Sequence, residues 1–194
     1  MSPDIHSVRS TGILFLIGFM GSGKSWLSHR LSEQEGIPRY DLDEEIEREQ
    51  GVSIGEYFRL HGEDAFRRTE RDVLERLCER IQNSADPEAL QTGRPFAVVS
   101  TGGGTPCFGD NMEWMNAKGT TVWIDTPKEI LIARLKRGRE HRPLIRELDD
   151  PSLEAFIEDL SLRRRPFYAK AQARWEGEGE GKESVDLGKI MEHA

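Results

Sequence analysis

The clearest chemistry in the chain lies in eight consecutive residues, Gly18-Phe19-Met20-Gly21-Ser22-Gly23-Lys24-Ser25. Glycines let a backbone curl until several N–H groups converge on one anion. A helix that starts at the lysine adds about half a positive charge at its N-terminus. In such a loop Lys24 reaches the outer phosphates of a nucleotide, and the Ser25 hydroxyl ligates a magnesium ion. A G-x-x-x-x-G-K-[ST] match gains meaning only between a strand and a helix. Here the uncharged apolar run Gly12 to Met20 precedes the glycines, and an amphipathic stretch, Lys24 to Glu35, follows them.

Four further clusters have residue types suited to an acceptor site. Asp41-Leu42-Asp43 places two carboxylates at alternating positions. On an extended chain both point the same way, towards the phosphate loop, one to hold magnesium through a water and one to take a proton from an acceptor hydroxyl. The same residues also read as a helix N-cap followed by an acidic first turn. Phe66-Arg67-Arg68 puts cations in the first turns of a helix, where the dipole disfavours them. Either a ligand carboxylate or salt bridges to Glu63, Glu70 or Asp72 would account for them. Gly102-Gly103-Gly104 suits close approach of backbone to a ligand, or a flexible turn. Arg142, in His141-Arg142-Pro143-Leu144, could close on a transferring phosphoryl group from a lid, or simply sit in a solvated charged loop. Arg163-Arg164-Arg165 stands where a helix C-terminus favours cations. Cys107 reads as a small packing residue near the site, and Trp114 and Trp123 as core or rim aromatics.

The elements that must position these residues alternate. Strands are predicted at Ile13 to Gly18, Pro38 to Leu42, Phe96 to Ser100 and Thr120 to Ile124, with a short fifth around Ala173 to Glu176. Helical spacing covers Lys24 to Glu35, a first turn at Asp43 to Glu47, a short helix capped by Ser53, Glu63 to Gln82, Gly109 to Ala117, Lys128 to Arg137, and Ser152 to Arg165 stopped by Pro166. Asn83 to Pro95 reads as a polar loop and Gly138 to Pro151 as a mobile charged one. Met1 to Thr11 reads as loose, Gly177 to Glu183 as solvated, and Val185 to Glu192 as a last short helix. Alternating strands and helices predict a parallel sheet covered on both faces, with ligands at the carboxyl ends of the strands.

The 194 residues suffice for one domain with a sizeable core, with 36% hydrophobic and 32% charged residues. A net charge of −8 gives no overall field for nucleic acid. Cys78 and Cys107 form no C-x-x-C pair, and the five histidines have no metal-ligand spacing, so neither a disulfide framework nor a zinc site is expected. No stretch approaches the roughly 20 apolar residues of a membrane span. A monomer in a reducing cytoplasm, with no nucleic-acid or membrane partner, is the expectation.

In this order and spacing, the motifs resemble the shikimate kinases. The resemblance runs from about Gly12 to Ala173 and is carried by Asp41-Leu42-Asp43 with Ile46-Glu47, Phe66-Arg67-Arg68-Thr69-Glu70, Gly102-Gly103-Gly104, Arg142-Pro143-Leu144 and Arg164-Arg165-Pro166-Phe167-Tyr168. It implies a three-layer α/β/α sandwich, a P-loop NTPase fold of the nucleoside-monophosphate-kinase type with a five-stranded parallel sheet. One domain would hold a core over 12–173, a substrate-binding helical region at about 42–83 and a lid at about 138–151. It further implies transfer of the ATP γ-phosphoryl group to the 3-hydroxyl of shikimate with Mg2+, on the route to chorismate and aromatic amino acids. By position it assigns nucleotide contacts to Gly21, Ser22, Gly23, Lys24, Ser25, Trp26, Arg137 and Arg142, and metal contacts to Ser25 and Asp41. Substrate contacts fall to Asp43, Arg67, Gly102, Gly103, Gly104 and Arg164, with Lys24, Asp43 and Arg142 at the chemistry. Two features depart from the family: Trp26 stands where a small residue is usual, and the tail from Arg174 lacks the usual adenine-loop pattern. Another small-molecule kinase of this fold, such as a gluconate kinase, and a nucleotide-binding module without catalysis are the rival readings.

Overall fold

Five short strands, all parallel, form one sheet in the order β2-β3-β1-β4-β5. The computed structural model describes residues 12–86, 94–142, 144–176 and 188. The N-terminal segment read as loose, part of the loop expected before the third strand, and nearly all of the tail in which a last helix is expected lie outside the described residues. The strands are β1 (Ile13–Ile17), β2 (Arg39–Asp41), β3 (Ala97–Ser100), β4 (Thr120–Ile124) and β5 (Ala173–Trp175). The helices are α1 (Lys24–Glu35), α2 (Leu42–Gln50), α3 (Ile54–Ser84), α4 (Asn111–Lys118), α5 (Lys128–Arg137) and α6 (Asp150–Tyr168). Short 3-10 turns occupy Thr105–Cys107 and Arg139–His141. Among the described residues, no helix is long and apolar enough to cross a membrane.

β1 lies at the centre and every residue in it is buried, which is why it reads as an unbroken apolar run. Its alternate residues serve the two faces. Ile13, Phe15 and Ile17 pack with Leu42, Phe66 and Leu74 from α2 and α3, while Leu14 and Leu16 pack with Leu27 and Leu31 from α1. Each such side chain contributes about 1.5–3 kcal/mol by leaving water. A third cluster joins Phe19 of the glycine loop to Leu131 and Leu135 of α5, Leu153 and Ile157 of α6, and Ile145.

Some boundaries match the prediction and others differ. α3 is two helical stretches that meet at a kink at Gly62, whose φ of 77° and ψ of 174° are not helical, as the short helix capped by Ser53 and the separate helix from Glu63 anticipate; the second stretch runs on to Ser84. Ser53 caps its start by accepting from the Glu56 N–H at 3.2 Å. α6 continues through Pro166 to Tyr168 rather than stopping. Proline removes one intrahelical bond, and near a helix end that loss is small enough for the last turn to form. The charged segment 138–151 is not wholly solvated. Ile145 in it is fully buried, and Arg139 bonds across its base to the Leu148 carbonyl at 2.8 Å and to Asp150.

Candidate active site

The site lies along the carboxyl ends of the strands, where β1 has β3 on one side and β4 on the other. After β1, the chain turns through the glycine loop into α1. Gly23 caps that helix with φ 101°, a conformation that glycine adopts freely. A Cβ at Gly18 would stand 2.8 Å from the Ile124 carbonyl oxygen, so the loop and the end of β4 can meet only there without a side chain. Lys24 folds back over the loop, its Nζ donating to the carbonyls of Gly18 at 2.9 Å and Phe19 at 2.8 Å. Burial pulls its pKa down to about 8, against the pull of Asp43 and Asp41 and with help from Arg164 and Arg142. Four charged groups from four segments thus feel one another around this lysine. The Ser22 hydroxyl is buried in the loop with no partner.

The expectation for Asp41 and Asp43 needs correcting. The extended strand ends at Asp41, which caps α2 by accepting from the Asp43 N–H at 3.1 Å. Asp43 therefore sits in the first helical turn, and strand alternation does not align the pair. Both carboxylates still lie close enough to the loop for their charges to act on Lys24. Asp41 Oδ2 lies 3.3 Å from Ser25 Oγ, giving two hard oxygen donors beside the loop, the donor type that Mg2+ requires. Asp43 points towards the triple glycine instead. Burial, then the charges of Asp41 and Glu70, raise its carboxyl pKa to about 6, with Lys24 opposing.

The triple glycine after β3 is the hub of the other half. A Cβ at Gly102 would lie 3.0 Å from Asp43 Oδ1, one at Gly103 3.1 Å from Arg164 Nη1, and one at Gly104 2.7 Å from Arg67 Cζ. Three consecutive residues without side chains therefore allow a carboxylate and two guanidiniums from α2, α3 and α6 to converge. Of the three arginines on α6 only Arg164 turns inward, with its guanidinium 5.7 Å from the Phe19 ring centroid, while Arg163 and Arg165 are exposed.

The structure bears out the salt-bridge reading of Arg67. The side chain pairs with Glu70 at 2.8 Å and Glu63 at 3.2 Å, yet it also faces Gly104. Burial opposes its charge, but the two carboxylates outweigh that and hold its pKa above the ordinary value. Arg68, its neighbour, is exposed. Cys107 packs behind this rim, its thiol pushed up to about 11 by burial although Arg164 and Arg67 pull the other way. That is a packing cysteine rather than a nucleophile. Trp123 is a core residue and Trp114 packs at the rim of the same cluster.

On the loop side, a cavity of about 460 Å³ is lined by the residues from Gly21 to Trp26 and by Arg134, Arg137, Gly138, Arg142 and Trp175. Arg142 is held to the base of its own segment, donating to the Gly138 carbonyl at 2.9 Å.

Glu70, one of the salt-bridge partners expected for Arg67, is buried, holds Arg67 and accepts from Thr105 Oγ1 at 2.5 Å. Three residues with clear contacts in this architecture escaped prediction. Tyr168 donates its hydroxyl to the Gly103 carbonyl at 2.6 Å, a contact that depends on α6 passing through Pro166. Arg134 donates to the Gly21 carbonyl at 3.1 Å. Trp175 lines the loop cavity from the far edge of the sheet, and nothing near it in the chain announces that.

A glycine loop opening on a helix, with the Ser25 hydroxyl and the Asp41 carboxylate together beside it, and a separate rim with two guanidiniums and a carboxylate have the make-up of a P-loop phosphotransferase. The comparisons name the branch. A family model described as shikimate kinase matches residues 20–194. A shikimate kinase from Parabacteroides distasonis is 36% identical over 165 residues, covering 85% of this chain and 87% of its own. The crystal structure of a Bacteroides thetaiotaomicron shikimate kinase superposes with a TM-score of 0.75 at 34% identity, covering 93% of each chain. A shikimate kinase from Acinetobacter baumannii, solved in complex with shikimate, gives 0.72 at 30% identity, covering 89% of this chain and 87% of that one. The chain belongs to the shikimate kinase family, a family of kinases that use ATP as co-substrate.

Proposed function

We propose that this chain phosphorylates the 3-hydroxyl of shikimate through the residues gathered along the carboxyl edge of its sheet. The observation that carries the reading is the convergence of Arg67 and Arg164 on the triple glycine opposite Asp43. Two guanidiniums from separate helices form charge-assisted, directional bonds to one carboxylate. A small organic acid held there presents its ring hydroxyl to Asp43 and, beyond it, to the loop.

The ATP phosphates lie on the N–H groups of Gly21, Ser22 and Gly23 at the N-terminus of α1, with Lys24 released from the Gly18 and Phe19 carbonyls to meet them. Ser25 and Asp41 hold Mg2+, which supplies charge neutralisation across the phosphates when bound. Asp43 orients the acceptor hydroxyl. The bond between the γ-phosphorus and the bridging oxygen breaks, the hydroxyl oxygen bonds to phosphorus, and the hydroxyl proton passes to the Asp43 carboxylate. In a loose transition state that proton leaves late, so Asp43 contributes more by position than by basicity. Arg142 leaves Gly138 and turns onto the transferring group as segment 138–151 closes. The helical region 42–83 supplies the acceptor side and segment 138–151 the lid.

A coupled ADP-release assay with shikimate, gluconate and nucleoside monophosphates tests the acceptor, with turnover expected on shikimate alone. Arg67→Ala is expected to raise the shikimate KM far more than the ATP KM. Equal rises would make Arg67 a structural residue and remove the acceptor site from this rim.

A further inference from the structure

Among the described residues, the loop contacts set out above account for the phosphates and not for the nucleobase. The loop end of the cavity is built of glycines, hydroxyls and cations, which suit an anion. Two indoles also line it. Trp26 projects from the first turn of α1, one residue past Ser25, and Trp175 closes β5. Their ring centroids stand 6.4 Å apart with planes 23° from parallel, and both rings are only half-buried. Arg137 lines the same cavity. A stacked aromatic pair usually withdraws from water. Here it forms the apolar part of a polar site, within a nucleotide's length of the phosphate loop.

We propose that Trp26 and Trp175 form the stacking platform for the nucleobase of the phosphoryl donor, with Trp175 the ring that sets donor affinity. The inference rests on the reading of the glycine loop as the ATP site. Every base offers a π-face, so a platform of this kind grips the ring and ignores its exocyclic groups. ATP and GTP therefore depend on Trp175 to the same degree. The competing account is mechanical. Both rings pack against the cluster containing Leu27 and Leu31, so the pair could do no more than fasten the three-residue strand β5 to α1.

Trp175→Leu separates the two, because it keeps an apolar side chain on β5 and removes the ring. The expected result is a rise of about tenfold in the KM for ATP, the size of one base–aromatic stack. GTP should lose the same factor, while the shikimate KM and the affinity for inorganic tripolyphosphate stay within about twofold of wild type. Trp175→Phe should recover most of the loss. An unchanged ATP KM in Trp175→Leu, or a loss shared by tripolyphosphate, overturns the proposal. Should Trp175→Leu fail to fold, indole fluorescence of the wild-type protein decides: quenching by ADP but not by tripolyphosphate is expected, and no quenching by ADP refutes the platform. Failure of the donor-site reading itself looks different, since wild-type protein would then bind neither ADP nor tripolyphosphate.

Discussion

Gly104→Ala isolates a single contact. Gly104 has φ −92° and ψ −20°, which alanine adopts without strain, so the backbone has no reason to move. The added Cβ would fall 2.7 Å from both Cζ and Nη1 of Arg67, where carbon contacts settle at about 3.5–4.0 Å. The guanidinium must retreat by about 1 Å. It cannot do so freely, because Glu70 holds it from behind and is itself tied to Thr105. A misplacement of about 1 Å in a positioning group costs on the order of 10²-fold. The shikimate KM should therefore rise by about ten- to a hundredfold, with the ATP KM within twofold and kcat at saturating shikimate little changed. Steady-state kinetics with each substrate varied in turn gives the answer, and a double-mutant cycle with Arg67→Ala sharpens it. Once the guanidinium is gone, the extra methyl has nothing to displace, so Gly104→Ala should add almost nothing in that background. A folded Gly104→Ala variant with wild-type shikimate KM, or strict additivity in the cycle, refutes the packing of Arg67 on this glycine.

Asp43→Asn should lower kcat by at least about tenfold with little change in either KM. It should also stabilise the protein. Burial, with Asp41 and Glu70 next, raises the folded-state pKa of Asp43 from 3.8 to about 6, so its proton is bound more tightly in the folded chain. That stabilisation is complete below about 3.8 and is lost as pH rises through about 6, leaving the ionised group costly at neutral pH. Two pKa steps amount to about 3 kcal/mol, an upper bound on the gain in chemical denaturation at pH 7. By the same shift, kcat should fall on the acid side as pH drops through about 6, and a flat profile from pH 5 to 7 would remove Asp43 from the chemistry. Lys24, lowered to about 8 chiefly by burial, should give a rising Kd for ATP above that pH, with no such rise in Lys24→Met. Glu70→Ala breaks a buried ion pair and should cost about 3–5 kcal/mol of stability by denaturation, and raise the shikimate KM alongside.

What could be read in advance was whatever depends on local pattern. The phosphate loop announces itself because strand, glycines, lysine and helix are contiguous, and β1 because a strand buried on both faces is apolar throughout. The glycine rim was legible in part: Arg67 and the three glycines are odd residues for their places, whereas Asp43 also reads as an ordinary first-turn acid and Arg164 stands where a helix end favours cations, so only the resemblance singled it out. How they meet was not legible, because it is settled by side-chain length and by helix ends. Asp43 reaches the rim from a helical turn rather than from an extended strand. Tyr168 reaches Gly103 because a proline near a helix end fails to end it. Ile145, one apolar residue in a charged stretch, gave too little periodicity to betray an anchor. Trp175 meets Trp26 only after the sheet order has carried β5 to the edge beyond β4, a long-range fact that no window of sequence contains.

The hydrogen bond from Tyr168 to the Gly103 carbonyl ties the last turn of α6 to the glycine rim. Arg164 stands one turn earlier on the same helix, so one jaw of the proposed acceptor vice is bolted to its bed plate. The opening between the two arginines then behaves as a gauge of set width. Acids a carbon longer or shorter than the proper one would be turned away by misfit rather than accommodated by breathing, and selectivity would belong to the frame before any lid moves.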